Sequence, residues 1–195
     1  MSNHKEKLLE IYESCISSKK VSLGKDIIEE LNVIKDIIER QRGIYVVLIT
    51  LGIHKIIDPK QDIRIHQSKL PGGFSGRSLD TKYISPTLTE LKLPSMSESG
   101  WLTRSLEQPY PYDSNYNGKI GNGNLIVKGS FLKLVDFIQN NPQKCEDVIR
   151  YLLYCGIEIR NKNKVEITKI TDPEKISIDT IISTLNEYFQ TNYHT

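Results

Sequence analysis

Apolar residues recur at helical spacing through the first third of the chain. In residues 5–18 they lie on one face, which predicts an amphipathic helix, and in residues 27–38 they form a second continuous stripe. Residues 44–53 are apolar on almost every side, which favours a buried helix that either continues the preceding one or begins anew. Asp58-Pro59 ends this region, because the residue before a proline disfavours helical dihedral angles. The pattern therefore predicts a helical part over residues 1–58.

Helical periodicity returns in the last third of the chain. Residues 131–138 predict a short helix, and residues 143–155 predict a second helix that ends with Gly156 as its C-terminal cap. A closing helix is expected after Asp172-Pro173, where apolar residues again recur at helical spacing. All of these helices have the amphipathic pattern of elements that pack against a common core.

Two short segments alternate apolar with charged residues. They are residues 157–159 and 165–167, and the polar turn between them predicts a small hairpin. The predicted fold class is therefore mainly α with a minor β component, an α+β fold in a single domain over residues 1–195. This domain is divided into a helical part (1–58), an irregular segment (59–124) and a part with helices and the hairpin (125–195).

The irregular segment has its own composition. Residues 71–123 hold seven of the twelve glycines, five of the eight prolines and six of the fifteen aromatic residues. Long stretches with little regular structure are usually functional or disordered. Disorder fits this one poorly, because aromatic rings need burial or a stacking partner. We therefore expect an ordered, irregular segment that carries the function.

Composition excludes several classes of protein. Hydrophobic residues make up 38% of the 195 residues and charged residues 26%, which excludes wholesale disorder. The formal net charge of +2 excludes a polybasic binder, so any contact with nucleic acid has to be local. No apolar run is long enough to span a membrane, and the first residues lack the plan of a signal peptide. Cys15, Cys145 and Cys155 form no metal-binding pattern, which predicts reduced thiols and a cytoplasmic location.

Familiar catalytic motifs are missing from the sequence. There is no GxxxxGK[ST], GxGxxG, HExxH or GxSxG, and we expect no metal site in the chain. A metal-dependent nuclease needs carboxylates that converge on a cation, usually with a lysine beside them. Asp80, Glu90 and Lys92 have the right residue types, but Pro86 lies between them and the region does not have the pattern of a strand pair.

The irregular segment is rich in polar side chains next to small residues, and these are groups that proteins use to contact DNA. A guanidinium can bond guanine and a glutamine can bond adenine through two hydrogen bonds each, while lysine and serine bind phosphates. The candidates for base contact are Arg77, Arg104 and Gln108. The candidates for phosphate contact are Lys82, Ser105 and Lys119, with Trp101 positioning the segment.

A purely structural role would use the same residues. Arg77 and Arg104 would then pair with Asp80 and Glu107 and so fix the segment. Trp101 would anchor it in the core. The segment holds nearly equal numbers of basic and acidic residues, so its charge does not decide between the two interpretations.

The same stretch resembles a segment of bacterial type II restriction endonucleases. The similarity rests on residues 73–77 and 80–83, on the unusual run SGWLTRSLEQ (99–108) and on Pro111-Tyr112, within residues 60–121. The resemblance implies sequence-specific recognition of double-stranded DNA and Mg²⁺-dependent cleavage, as part of a restriction-modification system in the bacterial cytoplasm. It also implies a carboxylate–lysine catalytic core that lies C-terminal to this segment.

The leading hypothesis is that the chain is the N-terminal, DNA-recognition part of such an enzyme and lacks a complete catalytic core. Its expected partners are double-stranded DNA, a catalytic domain or subunit, and a second copy of the chain, with no membrane contact. No cofactor is expected in this chain, and Mg²⁺ is expected for the cleavage activity of the family. One alternative is a complete Mg²⁺-dependent endonuclease with an unconventional site at Asp80, Glu90 and Lys92. The other is a helical protein-interaction module.

Overall fold

The computed structural model of the protein describes residues 3–18, 20–102 and 105–162. This part is mainly helical, as predicted, and its residues form no strand. The α-helices are α1 (His4–Ser17), α2 (Lys25–Lys35), α3 (Arg42–Ile57), α4 (Gly76–Leu79), α5 (Ser85–Glu90), α6 (Leu125–Asn140) and α7 (Cys145–Lys162). A π-helical turn spans Asp80–Ile84, and 3-10 turns span Gly100–Leu102, Ile120–Gly123 and Pro142–Lys144.

Helix α3 lies at the centre of the core because its sequence is apolar nearly all round. Every residue from Gly43 to Ile53 is buried, and α1, α6 and the short helices pack around it. Lys55 is buried as well, and its ammonium donates a hydrogen bond to the carbonyl oxygen of Gln61 at 2.8 Å. The chain leaves the helical conformation after Lys35 and re-enters it at Arg42, so α3 is separate from α2.

The predicted amphipathic opening helix is confirmed as α1, which begins with a capping box. The Asn3 side chain accepts a hydrogen bond from the Glu6 N–H at 2.9 Å, and the Glu6 carboxylate accepts one from the Asn3 N–H at 3.0 Å. The apolar face that follows is buried against α3 and the π-helical turn.

Residues 76–90 are helical, which corrects the expectation of an irregular segment over residues 59–124. Helices α4 and α5 are joined through the π-helical turn without a break. Pro86 does not interrupt this run: it is the second residue of α5, directly after the π-helical turn, and the helix continues to Glu90. The Ser85 N–H bonds to the Asp80 carbonyl five residues earlier, which is the hydrogen-bond pattern of a π-helix.

Helix α7 continues to Lys162, so the prediction that Gly156 caps its C-terminus is wrong. The glycine serves close packing instead. A Cβ at this position would lie 2.5 Å from the Tyr45 hydroxyl oxygen and 3.2 Å from Cδ of Pro94. Gly156 therefore lets α7 approach α3, and a residue with a side chain would not fit without a shift.

The first strand of the predicted hairpin is also wrong, because residues 157–159 lie inside α7. Residues 165–167 and the expected closing helix after Asp172-Pro173 lie outside the described residues. The minor β component is therefore not seen in the part of the chain that the structure describes. Residues 1–160 form one compact unit, and the second unit begins at Asn161.

Cys15, Cys145 and Cys155 are buried and form no disulfide. Burial raises the pKa of Cys145 and of Cys155 to about 12, so both remain protonated thiols. Among the described helices, none combines the length and the apolar character needed to cross a membrane.

Candidate nucleic-acid interface

Trp101 fixes the predicted recognition segment, residues 59–124, in the core. It is 1% exposed, and its indole Nε1–H donates a hydrogen bond to Nδ1 of His66 at 3.0 Å. The indole also packs on Gly76, where a Cβ would lie 2.8 Å from the ring. Burial lowers the pKa of His66 to about 4, so its imidazole is neutral and can accept this bond. Trp101 is therefore a positioning residue with no exposed face for a base, as the structural interpretation predicts.

Asp80 connects the π-helical turn to Ser99 and Gly100, which directly precede Trp101. Its Oδ1 accepts a hydrogen bond from the Ser85 hydroxyl at 2.6 Å. Its Oδ2 accepts one from the Ser99 hydroxyl at 2.8 Å and one from the Gly100 N–H at 2.7 Å. Burial raises the pKa of Asp80, and these hydrogen bonds act in the opposite direction. The carboxyl group is 0% exposed and thus has a structural position.

Two buried tyrosines hold the stretch that follows Arg104. The Tyr112 hydroxyl donates to the Leu106 carbonyl oxygen at 2.6 Å, and the Tyr116 hydroxyl donates to the Ser105 carbonyl oxygen. Burial raises the pKa of both phenols, which therefore keep their protons and remain donors. These rings anchor the segment. Their burial is one of the two environments expected for aromatic rings, the other being a stacking partner.

Arg77 forms an ion pair with Glu107, one of the two acidic partners that the structural interpretation predicts. Its guanidinium Nη1 donates to Glu107 Oε1 at 2.7 Å, and about half of the arginine side chain is exposed. It does not pair with Asp80. Lys82 is exposed, and its ammonium lies 5.1 Å from the centre of the Tyr83 ring. Both side chains are thus accessible to a ligand.

The other candidates for DNA contact lie along the second half of the segment. Ser105 and Gln108 are partly exposed, and Lys119 is exposed directly before the 3-10 turn at Ile120. The side-chain amide of Gln67 donates to the Gln108 carbonyl at 3.2 Å and so fixes the backbone there. Arg104 lies outside the described residues, so its role in base contact stays a prediction.

The candidate catalytic residues are not brought to one surface. Asp80 is fully buried, whereas Glu90 is exposed and forms an ion pair with Lys5 at 2.9 Å. Lys92 is exposed in a left-handed conformation at φ 57°. Within the described ranges, no group of three or more His, Cys, Asp or Glu side chains could hold a metal ion.

Two surface clefts adjoin along the segment. The first, here named the Arg77 cleft, has a volume of about 650 Å³ and is lined by Arg77, Glu98, Pro86, Met96 and the hydroxyl residues Thr81, Ser85, Thr89, Ser97 and Ser99. The second, the Arg40–Arg42 cleft, has a volume of about 340 Å³ and is lined by residues 39–44, Met96, Ser105, Leu106 and residues 120–122. Because Met96 lines both, the two clefts border one another.

Arg40 and Arg42 are functional candidates that sequence reasoning missed. Both are exposed, and neither forms an ion pair or a side-chain hydrogen bond with another described residue. Residues 1–42 carry eight basic and eight acidic side chains, so their charges cancel and predict only solvated helix faces. Their position in the loop between two apolar stretches could have identified them, because charged side chains of one loop can face the same cleft.

Comparison with known proteins gives no relative for this chain. No protein-family model matches it, and neither a curated protein nor a solved structure matches it.

Proposed function

We propose that this chain binds double-stranded DNA as the recognition part of a type II restriction endonuclease, in the cytoplasm of a bacterium. Cleavage would belong to a further domain or subunit. The observation that carries the proposal is the pair of adjoining clefts, which have arginines in both linings and the predicted recognition segment as a shared wall. Arginine and hydroxyl side chains are the usual partners of DNA phosphates.

Local charge supports an anionic ligand although the whole chain is nearly neutral. Arg40 and Arg42 have no acidic partner among the described residues, so a phosphate would replace only water and small ions around them. Lys119 directly precedes the cleft residue Ile120 in the sequence and adds a third positive charge near the cleft. Glu39 is the acidic residue in this lining.

The buried anchors support recognition by a rigid surface. Trp101 and Asp80 hold the segment on one side of Arg104, and Tyr116 holds Ser105 on the other side. A wall that is fixed before binding loses little conformational entropy when DNA arrives. Arg77 and Arg104 therefore remain our candidates for base contact, together with Gln108.

The proposal assigns no cleavage step to this chain. Asp80 is fully buried, and its carboxylate oxygens already accept three hydrogen bonds. It does not converge with Glu90 on a surface that DNA can reach. The Mg²⁺ that the resemblance implies would thus be held by the catalytic domain or subunit.

A protein-interaction module is the second candidate, and one observation favours it. Leu125 and Ile126, in the first turn of α6, are 81% and 69% exposed. Adjacent exposed aliphatic side chains are a typical feature of a docking surface. This candidate predicts no salt-sensitive affinity for DNA.

A DNA-binding titration tests the proposal. Fluorescence anisotropy with random-sequence duplexes at several salt concentrations gives the affinity and its salt dependence. We expect Arg40→Ala/Arg42→Ala to weaken binding to all duplexes and to lower the slope of log affinity against log salt by about two units. The matched control is Lys25→Ala/Lys60→Ala, which removes the same charge from exposed positions outside both clefts.

Sequencing of the retained duplexes completes the test. Enrichment of a short motif supports a recognition role, and Arg104→Ala should then relax the preference at one base pair by about 1–3 kcal/mol. Absence of binding at low salt, or an equal loss in the control variant, would reject DNA binding through these clefts.

A further inference from the structure

The Arg40–Arg42 cleft has two chemically different kinds of lining. Its apolar lining is formed by Met96, which is partly exposed, and by Ile44, Leu106 and Ile120, which are at most 3% exposed. Its polar lining is formed by Glu39, Arg40, Gln41, Arg42, Ser105 and Asn122. A DNA phosphate alone would need only the cations, so the apolar part calls for a ligand with an uncharged, flat or bulky portion as well.

The size of this cleft sets a limit on that ligand. About 340 Å³ lies near the lower end of the range of small-molecule sites, which is roughly 300–1,000 Å³. A volume of this order is enough for a ligand of about the size of one nucleotide. The Arg77 cleft differs, because hydroxyl groups dominate its lining and Met96 and Pro86 are its main apolar members.

The amide side chains in the lining are free to bind a ligand. Gln41 is the residue before the first turn of α3, yet its side chain makes no capping hydrogen bond. Asn122 is exposed at φ 56°, and like Gln41 it has no side-chain hydrogen bond to another described residue. Each amide offers a donor and an acceptor side by side, which matches the edge of a nucleobase.

We propose that the Arg40–Arg42 cleft is a pocket for a single unstacked nucleotide of the bound nucleic acid. The base lies against the apolar lining with its edge on the amides of Gln41 and Asn122, and its phosphate binds Arg40 and Arg42. The Glu39 carboxylate accepts a hydrogen bond from an exocyclic amine, which favours bases that carry one. This inference rests on the proposed DNA binding and adds the chemical class of the ligand at one of its two clefts.

Deoxynucleoside monophosphates test the pocket without DNA. NMR titrations of the full chain with each of the four deoxynucleoside 5′-monophosphates, with deoxyadenosine and with inorganic phosphate are run at equal ionic strength. We expect at least one monophosphate to bind about tenfold more tightly than inorganic phosphate, because its base buries apolar surface.

Variants locate the site. Gln41→Ala should weaken that nucleotide by about fivefold or more and leave phosphate binding unchanged, since it removes a contact to the base. Arg42→Ala should weaken both ligands. Lys60→Ala, at an exposed position outside the cleft, should change neither. Thermal unfolding of each variant verifies that the fold is retained.

The result that overturns the inference is equal affinity for nucleotides and phosphate, or nucleotide binding that does not respond to Gln41→Ala or to Arg42→Ala. Titration of a duplex with the same variants separates this failure from that of the proposed function. Duplex binding that depends on Arg40 and Arg42 without any nucleotide preference leaves a phosphate contact only. If neither nucleotides nor duplexes bind, both proposals fall.

Discussion

Replacement of Asp80 tests whether this residue holds the recognition segment or performs chemistry. Asp80→Ala removes three hydrogen-bond acceptor contacts and leaves the Gly100 N–H buried without a partner. Asp80→Asn keeps the shape of the side chain. Its amide oxygen can take the place of Oδ2 towards Ser99 and Gly100, and its amide nitrogen can donate to the Ser85 hydroxyl, since a hydroxyl also accepts.

The expected magnitude follows from two opposing contributions. Hydrogen bonds to a charged group contribute about 1.5–3 kcal/mol each, whereas burial of the carboxylate costs several kcal/mol. The raised pKa of Asp80 shows that burial outweighs the hydrogen bonds that would lower it. We therefore expect Asp80→Ala to lower the free energy of unfolding by about 3 kcal/mol. Asp80→Asn should lower it by about 1 kcal/mol or less, because it removes the buried charge and keeps the acceptor.

Urea denaturation followed by circular dichroism at pH 7 measures both variants, and duplex titration measures their DNA affinity. We expect Asp80→Asn to bind DNA like the unmodified protein. A loss of stability under about 1 kcal/mol in Asp80→Ala would refute the structural role. An equally large loss in Asp80→Asn would show that the charge itself is required and that the hydrogen-bond geometry is not sufficient.

Three further outcomes are expected. Protonation of His66 should lower the unfolding free energy by up to about 3 kcal/mol as the pH decreases from about 6.5 to about 4, because burial lowers its pKa to about 4 and the unfolded chain binds the proton first. Burial also lowers the pKa of His54 to about 4, so His66→Gln should reduce the dependence of stability on pH without abolishing it. Urea denaturation across this range measures the effect, and an unchanged dependence in His66→Gln would contradict it. Gly156→Ala should destabilise the protein by about 1–3 kcal/mol through the clash with the Tyr45 hydroxyl. Gly129→Ala, with no atom within 4 Å of the new Cβ, should stabilise α6 by about 0.5–1 kcal/mol. Thermal unfolding measures both variants, and a change of the same sign in both would refute the role of close packing at Gly156. The purified chain should bind duplex DNA in the presence of Mg²⁺ and leave supercoiled plasmid uncut. Nicking that persists after repurification would show that this chain has the catalytic activity.

The helices of the core could be predicted because their apolar residues lie on faces of the right period. The stripe over residues 27–38 and the apolar run over residues 44–53 correspond to α2 and α3, although the periodicity did not decide whether they were one helix. Gly156 illustrates what periodicity cannot show. A glycine near the end of an apolar pattern fits a C-terminal cap and a close helix contact equally well, and only the position of Tyr45 decides between them.

The helical conformation of residues 76–90 could not be predicted for a different reason. The α-helical parts of this run are short, with four residues before the π-helical turn and six after it, and Pro86 lies within the run. A π-helical turn shifts the side chains around the axis, so the apolar positions on the two sides do not share one 3.6-residue period. Burial of Asp80 adds to this, because a carboxylate on the inner face is counted as a solvent-exposed position in a sequence pattern.

For the candidate site, the sequence suggested a recognition role for residues 59–124 but did not show which of their side chains serve packing. Glycine and aromatic residues next to arginines are typical of a surface that stacks on bases. In the structure much of this composition serves packing: Gly76 makes room for Trp101, and a Cβ on Gly100 would lie 2.8 Å from the Gly43 carbonyl oxygen. The positive charges that face the second cleft come from Arg40 and Arg42, which precede Met96 and Ser105 of the same lining by more than fifty residues, and only the fold brings them together.

This division of roles determines which variants can test recognition. Loss of DNA binding in Trp101→Ala would not show a contact, because removal of the buried indole also releases the His66 bond and frees the segment. The same holds for Tyr116, whose hydroxyl fixes Ser105. The side chains of Arg40 and Arg42 form no ion pair or hydrogen bond with a described residue, so their replacement should leave the anchors intact. A loss of affinity in that variant alone, with an unchanged unfolding free energy, therefore reports on the ligand contact itself.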